Sequence, residues 1–267
     1  MDIHQIFSPK ALAGEVAVVT GGGSGLGYAI ARDFAACGAE VVITSRSAER
    51  LEAAELRIAE ETGQLCSSLP TDVRNEDEVA RLRDFVTNRH GPAGIVVNNA
   101  AANFFSRAER MGPRALNTVL DTDLQGTFNV TRAFVPDMLK EQRGTILNVT
   151  LPYPERGFPG FSHAGAAKAA IVSMTASWAY EWGRYGIRVV GLAPGPIPTE
   201  GVATNMLATD DPWAPFVQTI PMRRLGQPFD ISAAAVFLCS PAAGWITGTN
   251  VIVDGGTYLN TSPEVSL

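Results

Sequence analysis

The chain has 267 residues, 46% hydrophobic and 18% charged, a composition that suits a compact enzyme and excludes a disordered or fibrous protein. Its net charge of −6 argues against a nucleic-acid partner, which needs clustered Lys and Arg to displace counterions. Cys37, Cys66 and Cys239 form no CxxC and lie in apolar surroundings, as reduced core thiols do. No apolar run approaches the ~20 residues needed to span a bilayer, so no membrane association is expected. Acidic Asp2 stands where a secretory signal would be basic, and the terminal Glu-Val-Ser-Leu lacks the base of a Ser-Lys-Leu address. A reducing cytoplasm is the expected compartment.

In chain order, residues 15–20 (EVAVVT) form a short β-branched run closed by glycines, and residues 28–37 follow with helical spacing. Further strands are predicted at about 40–45, 65–70, 94–98, 145–150, 187–193 and 249–253, with helices between them. Seven strands in this alternation predict one α/β Rossmann domain over residues 1–267, with a doubly wound parallel sheet. Near-continuous apolar runs such as VVIT and TILNVT fit strands buried on both faces. Residues 194–227 lack clear periodicity, and 199–227 are expected to form a substrate lid.

Thr20-Gly-Gly-Gly-Ser-Gly-Leu-Gly27 joins the first strand to the first helix, where glycines let backbone amides approach a pyrophosphate. Gly21, Ser24, Gly25, Leu26 and Gly27 are therefore candidate cofactor residues. At the end of the second strand an NAD enzyme usually carries Asp or Glu against the ribose 2′-hydroxyl. Here Ser45 and Arg46 stand, a pair suited to the 2′-phosphate of NADP, so NADPH is the expected cofactor.

The TGxxxGxG spacing of this turn resembles the short-chain dehydrogenase/reductase family, and other segments extend the resemblance over almost the whole chain. Asp72-Val73 is similar to the family's adenine-contacting pair. Asn98-Asn99-Ala100-Ala101 is similar to its NNAG, with Asn99 and Ala100 at the cofactor and Ala101 replacing Gly. Pro194-Gly195-Pro196-Ile197 and Thr199 resemble the loop that lines the nicotinamide, and Asp254-Gly255-Gly256 the signature of the closing strand.

The catalytic positions depart from that family's pattern of Ser followed by Tyr-xxx-Lys. Lys168 is in place, and the resemblance implies that it anchors the nicotinamide ribose. Four residues before it stands Ala164, which cannot donate a proton, and seventeen before it stands Leu151. The remaining set resembles the 2,4-dienoyl-CoA reductases. Asn103-Phe104 and Tyr153, fifteen before the lysine, match the mitochondrial branch. Asp121-Thr-Asp-Leu-Gln-Gly-Thr-Phe-Asn129 matches a peroxisomal motif whose catalytic Asp corresponds to Asp123.

The resemblance implies reduction of a 2,4-dienoyl-CoA or related enoyl thioester. Tyr153 and Asn103 would donate to the thioester oxygen, Asp123 would deliver the proton, and Lys168 would complete the catalytic set. Which of Tyr153, Asp123 and His163 gives the proton stays open; His163 has no partner at metal-ligand spacing, so no metal is expected. A carbonyl reductase with a non-standard donor and a non-catalytic NADP-binding module also stay open. Family likeness implies a homotetramer with residues 164–185 at an interface. Arg107, Arg110, Arg223 and Arg224 are candidates for the CoA 3′-phosphate.

Overall fold

A computed structural model describes residues 2–152, 157, 159–199 and 214–259, and the side chains of all of these except 214–216. Seven strands form one sheet: β1 Val16–Thr20, β2 Glu40–Ser45, β3 Cys66–Pro70, β4 Ile95–Asn98, β5 Gly144–Val149, β6 Ile187–Pro194 and β7 Asn250–Val253. The order is β3-β2-β1-β4-β5-β6-β7 and every pairing is parallel. This is the expected single α/β domain. Every residue of β1 and β4 is buried, because helices cover both sides of a doubly wound sheet.

On one face lie α1 (Gly25–Ala36) and α8 (Pro228–Cys239), packed on each other through a core that includes Phe34, Ile30, Ile231 and Leu238. α2 (Ala48–Thr62) adds Leu51 and Ile58 to that core. On the other face α3 (Glu76–His90), α5 (Gly126–Glu141) and α6 (Ser162–Trp182) enclose Leu82, Phe134, Met138 and Trp178. Local chemistry sets several helix ends. Ser47 Oγ accepts from Arg50 N at the start of α2, Asn75 Oδ1 accepts from Asp77 and Glu78 N at the start of α3, and Gly63 closes α2 in the left-handed region.

Two boundaries differ from the sequence expectation. α1 begins at Gly25 rather than Tyr28, because glycines that mark a turn also supply the helix's first turn. Within 194–227 a short helix, α7 (Ala214–Thr219), interrupts the aperiodic stretch, while 200–213 of the expected lid lie outside the described residues. Among the described residues no helix is long and apolar enough to cross a membrane.

One irregularity has no counterpart in the sequence reading. α4 (Pro113–Val119) runs into a π-helical segment, Leu120–Gln125, which continues directly into α5. The wider turn rotates the side chains relative to a regular helix, and Asp123 lies at its centre with only 1% of its surface exposed.

Candidate functional site

The sheet reverses its winding between β1 and β4, and the crevice outside their carboxyl ends is where an open α/β sheet takes a ligand. Thr20, at the end of β1, ties its two walls together. Its Oγ accepts from Asn99 N at 2.9 Å and Ala100 N at 3.0 Å, and donates to Val97 O. Asn99 Nδ2 returns a bond to Thr20 O at 3.0 Å. A side chain at Gly27 would run into the Gly21 carbonyl and the Asn99 amide, so glycine there lets the turn close on the neighbouring strand. Gly21 and Gly25 adopt φ of +67° and +57°, which suits glycine.

The groove that opens from this turn is lined by Gly21, Ser24, Ser45, Arg46, Asp72, Val73, Asn99 and Ala100, all singled out in the sequence. Leu26 is half-buried behind it and Gly27 is buried at the helix start. Arg46 is exposed at the groove's mouth. Asp72 is held by Arg74 through Nε–Oδ1 at 2.9 Å, and the guanidinium keeps its carboxyl below the usual range. The residues fit a dinucleotide: a helix N-terminus with glycines at one end and an exposed guanidinium at the other. Pro194 ends β6, while Gly195 and Ile197 line a separate pocket with Met222, Arg224 and Asp254; Gly195 N is bonded to Val253 O at 3.0 Å. Thr199 stands beside Gly25.

The chemistry-bearing side chains lie deeper. Lys168 is buried; its Nζ donates to Val149 O at 2.9 Å and lies 3.5 Å from Asp123 Oδ2. Asp123 Oδ1 accepts from Ala102 N at 2.7 Å. Burial raises the Asp123 pKa above the ordinary carboxylate range, against the opposing pull of Lys168 and the Ala102 amide. One turn before the lysine, Ala164 is buried in an apolar cluster with Val119, Phe161 and Ala167. Leu151 offers only its carbonyl, to Asn250 Nδ2. Neither position holds an acid.

A ladder of buried amides and hydroxyls fixes this arrangement to the sheet. Asn98 Nδ2 donates to Thr131 Oγ at 3.0 Å and Asn148 Oδ1 at 2.9 Å, and Asn148 Nδ2 donates to Thr175 Oγ at 2.9 Å. Thr131 is on α5, into which the π segment bearing Asp123 runs, and Thr175 is on α6 with Lys168, so the ladder holds the two in register.

Asn103 is exposed on the loop after β4, with Phe104 half-buried beside it. Tyr153 lies outside the described residues. His163 packs inside α6 and does not cap it. Of the four arginines considered for a CoA phosphate, Arg224 is bound to Asp230, Arg107 lies 4.0 Å from Glu109 and Arg223 donates to Gln218 O. Sequence reasoning missed Thr20, Arg74 and the backbone groups of Ala102 and Val149. The Asp-x-Arg spacing could have revealed Arg74, whereas a main-chain partner leaves no sequence signal.

A family model described as enoyl-(acyl carrier protein) reductase matches residues 21–258. The peroxisomal 2,4-dienoyl-CoA reductase of Pongo abelii is 38% identical over 98% of this chain and 90% of its own length. A Bacillus subtilis protein named "Probable 2,4-dienoyl-CoA reductase" is 36% identical over 92% of this chain and 97% of its own. Among solved structures, a gluconate 5-dehydrogenase from Burkholderia cenocepacia in complex with NADP and tartrate superposes with a TM-score of 0.87. It shares 30% identity over 94% of this chain and 98% of its own.

Thr20→Val keeps the side-chain shape but leaves two amides without an acceptor. Urea unfolding should show a loss of about 2–4 kcal/mol, and an unchanged midpoint would remove Thr20 from the architecture of the crevice.

Proposed function

Because the chain belongs to the short-chain dehydrogenase/reductase family, with 2,4-dienoyl-CoA reductases among its relatives, we propose that it reduces a 2,4-dienoyl-CoA or related enoyl thioester with NADPH. One observation carries this reading: the buried Asp123–Lys168 pair stands beside an alanine at the position where a ketone reductase of the family has its proton donor.

Reduction of a ketone requires an acid at the carbonyl oxygen. Reduction of a conjugated dienoyl thioester requires donors that stabilise charge on the thioester oxygen, and an acid that protonates carbon. NADPH supplies the hydride when bound. Asp123, whose acid form is favoured by burial, delivers the proton to carbon. Lys168 holds the ribose hydroxyls and limits how far the carboxyl departs from its place. The Asn103 amide and the Tyr153 hydroxyl donate to the thioester oxygen, each contribution worth roughly 3 kcal/mol in comparable sites. Gly21, Ser24, Gly25, Leu26 and Gly27 take the pyrophosphate, Ser45 and Arg46 the 2′-phosphate, and Asp72, Val73, Asn99 and Ala100 the adenosine side. Pro194, Gly195, Ile197 and Thr199 face the nicotinamide. No metal enters the scheme.

The outer end of α6 exposes 91% of Tyr180, next to Trp182 and Tyr185, and this reading makes it a contact between copies of a homotetramer. Three unpaired cysteines suit the reducing cytoplasm in which the enzyme would work.

The direct test follows NADPH oxidation with 2,4-hexadienoyl-CoA beside a β-ketoacyl thioester. Turnover of the dienoyl substrate alone is expected; turnover of the ketone alone would replace this reading with a carbonyl reductase. Arg46→Glu places a carboxylate where the 2′-phosphate would fall, so KM for NADPH should rise at least about tenfold while that for NADH stays within about twofold. Equal effects on both would remove Arg46 from cofactor selection.

A further inference from the structure

Asn250 is the first residue of β7, at the edge of the sheet, yet its side chain bonds to a segment that does not neighbour its own strand. Thr150 Oγ donates to Asn250 Oδ1 at 2.5 Å, and Asn250 Nδ2 donates to Leu151 O at 3.1 Å. Both partners follow directly on β5, which ends at Val149. Between β5 and β7 runs β6, whose Gly191 pairs with Asn148 on one side and Asn250 on the other. Neighbouring strands lie about 4.8 Å apart, so the two that this amide joins are separated by about 10 Å of sheet.

Glycine leaves the crossing open, since a methyl group at Gly191 would run into the Asn250 amide. Asn148 donates to Thr175 of α6, so the period-two alternation of strands puts Asn148, Thr150, Gly191 and Asn250 on the sheet face that α6 covers. That is the face from which Lys168 reaches the sheet. Its Nζ donates to the carbonyl of Val149, the residue next to Thr150, at 2.9 Å and lies 3.5 Å from Asp123 Oδ2. The backbone pairing of this segment to β6 closes with Thr150 N on Leu192 O at 2.8 Å, and one residue on, at Leu151, the Asn250 amide takes over. A carboxamide suits both bonds, because its oxygen accepts from the buried threonine hydroxyl while its N–H donates to the leucine carbonyl.

We propose that Asn250 is a positioning residue for Lys168: from the edge strand it locks the end of β5, so that the Val149 carbonyl holds the ammonium where it serves the nicotinamide ribose and Asp123 together. The inference rests on the role given to Lys168 above. Asn250 itself touches neither the cofactor groove nor the carboxyl; it acts through two residues of backbone and one lysine bond.

The first readout is NADPH affinity, followed by nicotinamide fluorescence with no acyl substrate present. Lys168→Ala sets the scale: loss of a charge-assisted hydrogen bond to the ribose should raise Kd about tenfold. Asn250→Leu, neutral and of similar size, should raise it about fivefold. In the Lys168→Ala background the same substitution should raise Kd no further, because the residue it positions is gone. Gly191→Ala, which crowds the amide without changing it, should shift Kd in the same direction, as should Thr150→Val, which keeps the shape and removes one of the two bonds. With 2,4-hexadienoyl-CoA, Asn250→Leu should lower kcat about tenfold, with KM for the thioester within about twofold.

An amide that only joins strands would lower the urea midpoint of Asn250→Leu and leave Kd unchanged, and that result overturns the proposal. So does an effect on Kd that multiplies with that of Lys168→Ala. Should Asn250→Leu fail to fold, Gly191→Ala and Thr150→Val carry the same comparison, and unchanged affinity in both overturns the proposal as well. A Lys168→Ala variant with unaltered Kd would remove the role given to Lys168 and this inference with it. A wild-type protein that shows the non-additive affinities but does not turn over the dienoyl thioester would instead overturn the substrate assignment and leave the positioning role standing.

Discussion

A carboxyl group with 1% of its surface exposed has to be neutral or closely partnered, and the arrangement around Asp123 supplies the means for both. Lys168 lies 3.5 Å from one oxygen and the Ala102 amide 2.7 Å from the other, while burial favours the acid form. The contest is not settled wholly in favour of the charged pair, because the cost of removing both charges from water can exceed their attraction. Burial thus biases this carboxyl toward its acid form, in a crevice where Ala164 stands one turn before the lysine. Such a group is a functional candidate on physical grounds, since a buried carboxyl contributes little to stability that an apolar residue would not.

Much of the surrounding structure serves to keep that carboxyl in place. The π segment aims Asp123 inward, and the Asn98–Asn148–Thr175 ladder joins β4, β5 and α6 so that the lysine meets it. Thr20 joins the glycine turn to the strand beyond which Ala102 lies. The dinucleotide crevice and the acid–base pair therefore share one scaffold. A shift of β4 against β1 would disturb both.

The strand order and the groove were legible because they depend on signals that composition and spacing carry: β-branched runs, a glycine turn between a strand and a helix, and Ser45-Arg46 where a carboxylate usually stands. Asp123 and Lys168 were found by motif, but their contact was not, since 45 residues separate them and their partners are largely main-chain atoms. The π turn was unreadable because Leu-Asp-Thr-Asp-Leu-Gln fits an ordinary helix; only packing of the carboxyl against Ala102 and Lys168 favours the wider turn. His163 could be read as a capping or packing residue, and it packs, against the rings of Phe104 and Phe161. The match to relatives over more than nine-tenths of the chain fits the architecture, whereas the role of each residue is the reading proposed above.

The central claim is that Asp123 is an acid in the folded protein at pH values where a solvated aspartate is ionised. Its pKa is raised by folding, so its contribution to stability is complete below the ordinary carboxylate range and is lost as pH rises through the raised value. The difference infrared spectrum between the wild-type protein and Asp123→Asn, recorded across a pH titration, reads the protonation state directly. A carboxylic-acid carbonyl band that persists at about pH 6, well above the ~3.9 of a free aspartate, and is replaced by carboxylate bands on further alkalinisation is the result expected. A carboxylate already fully formed at about pH 5 would contradict the account and leave Asp123 as the counter-ion of Lys168.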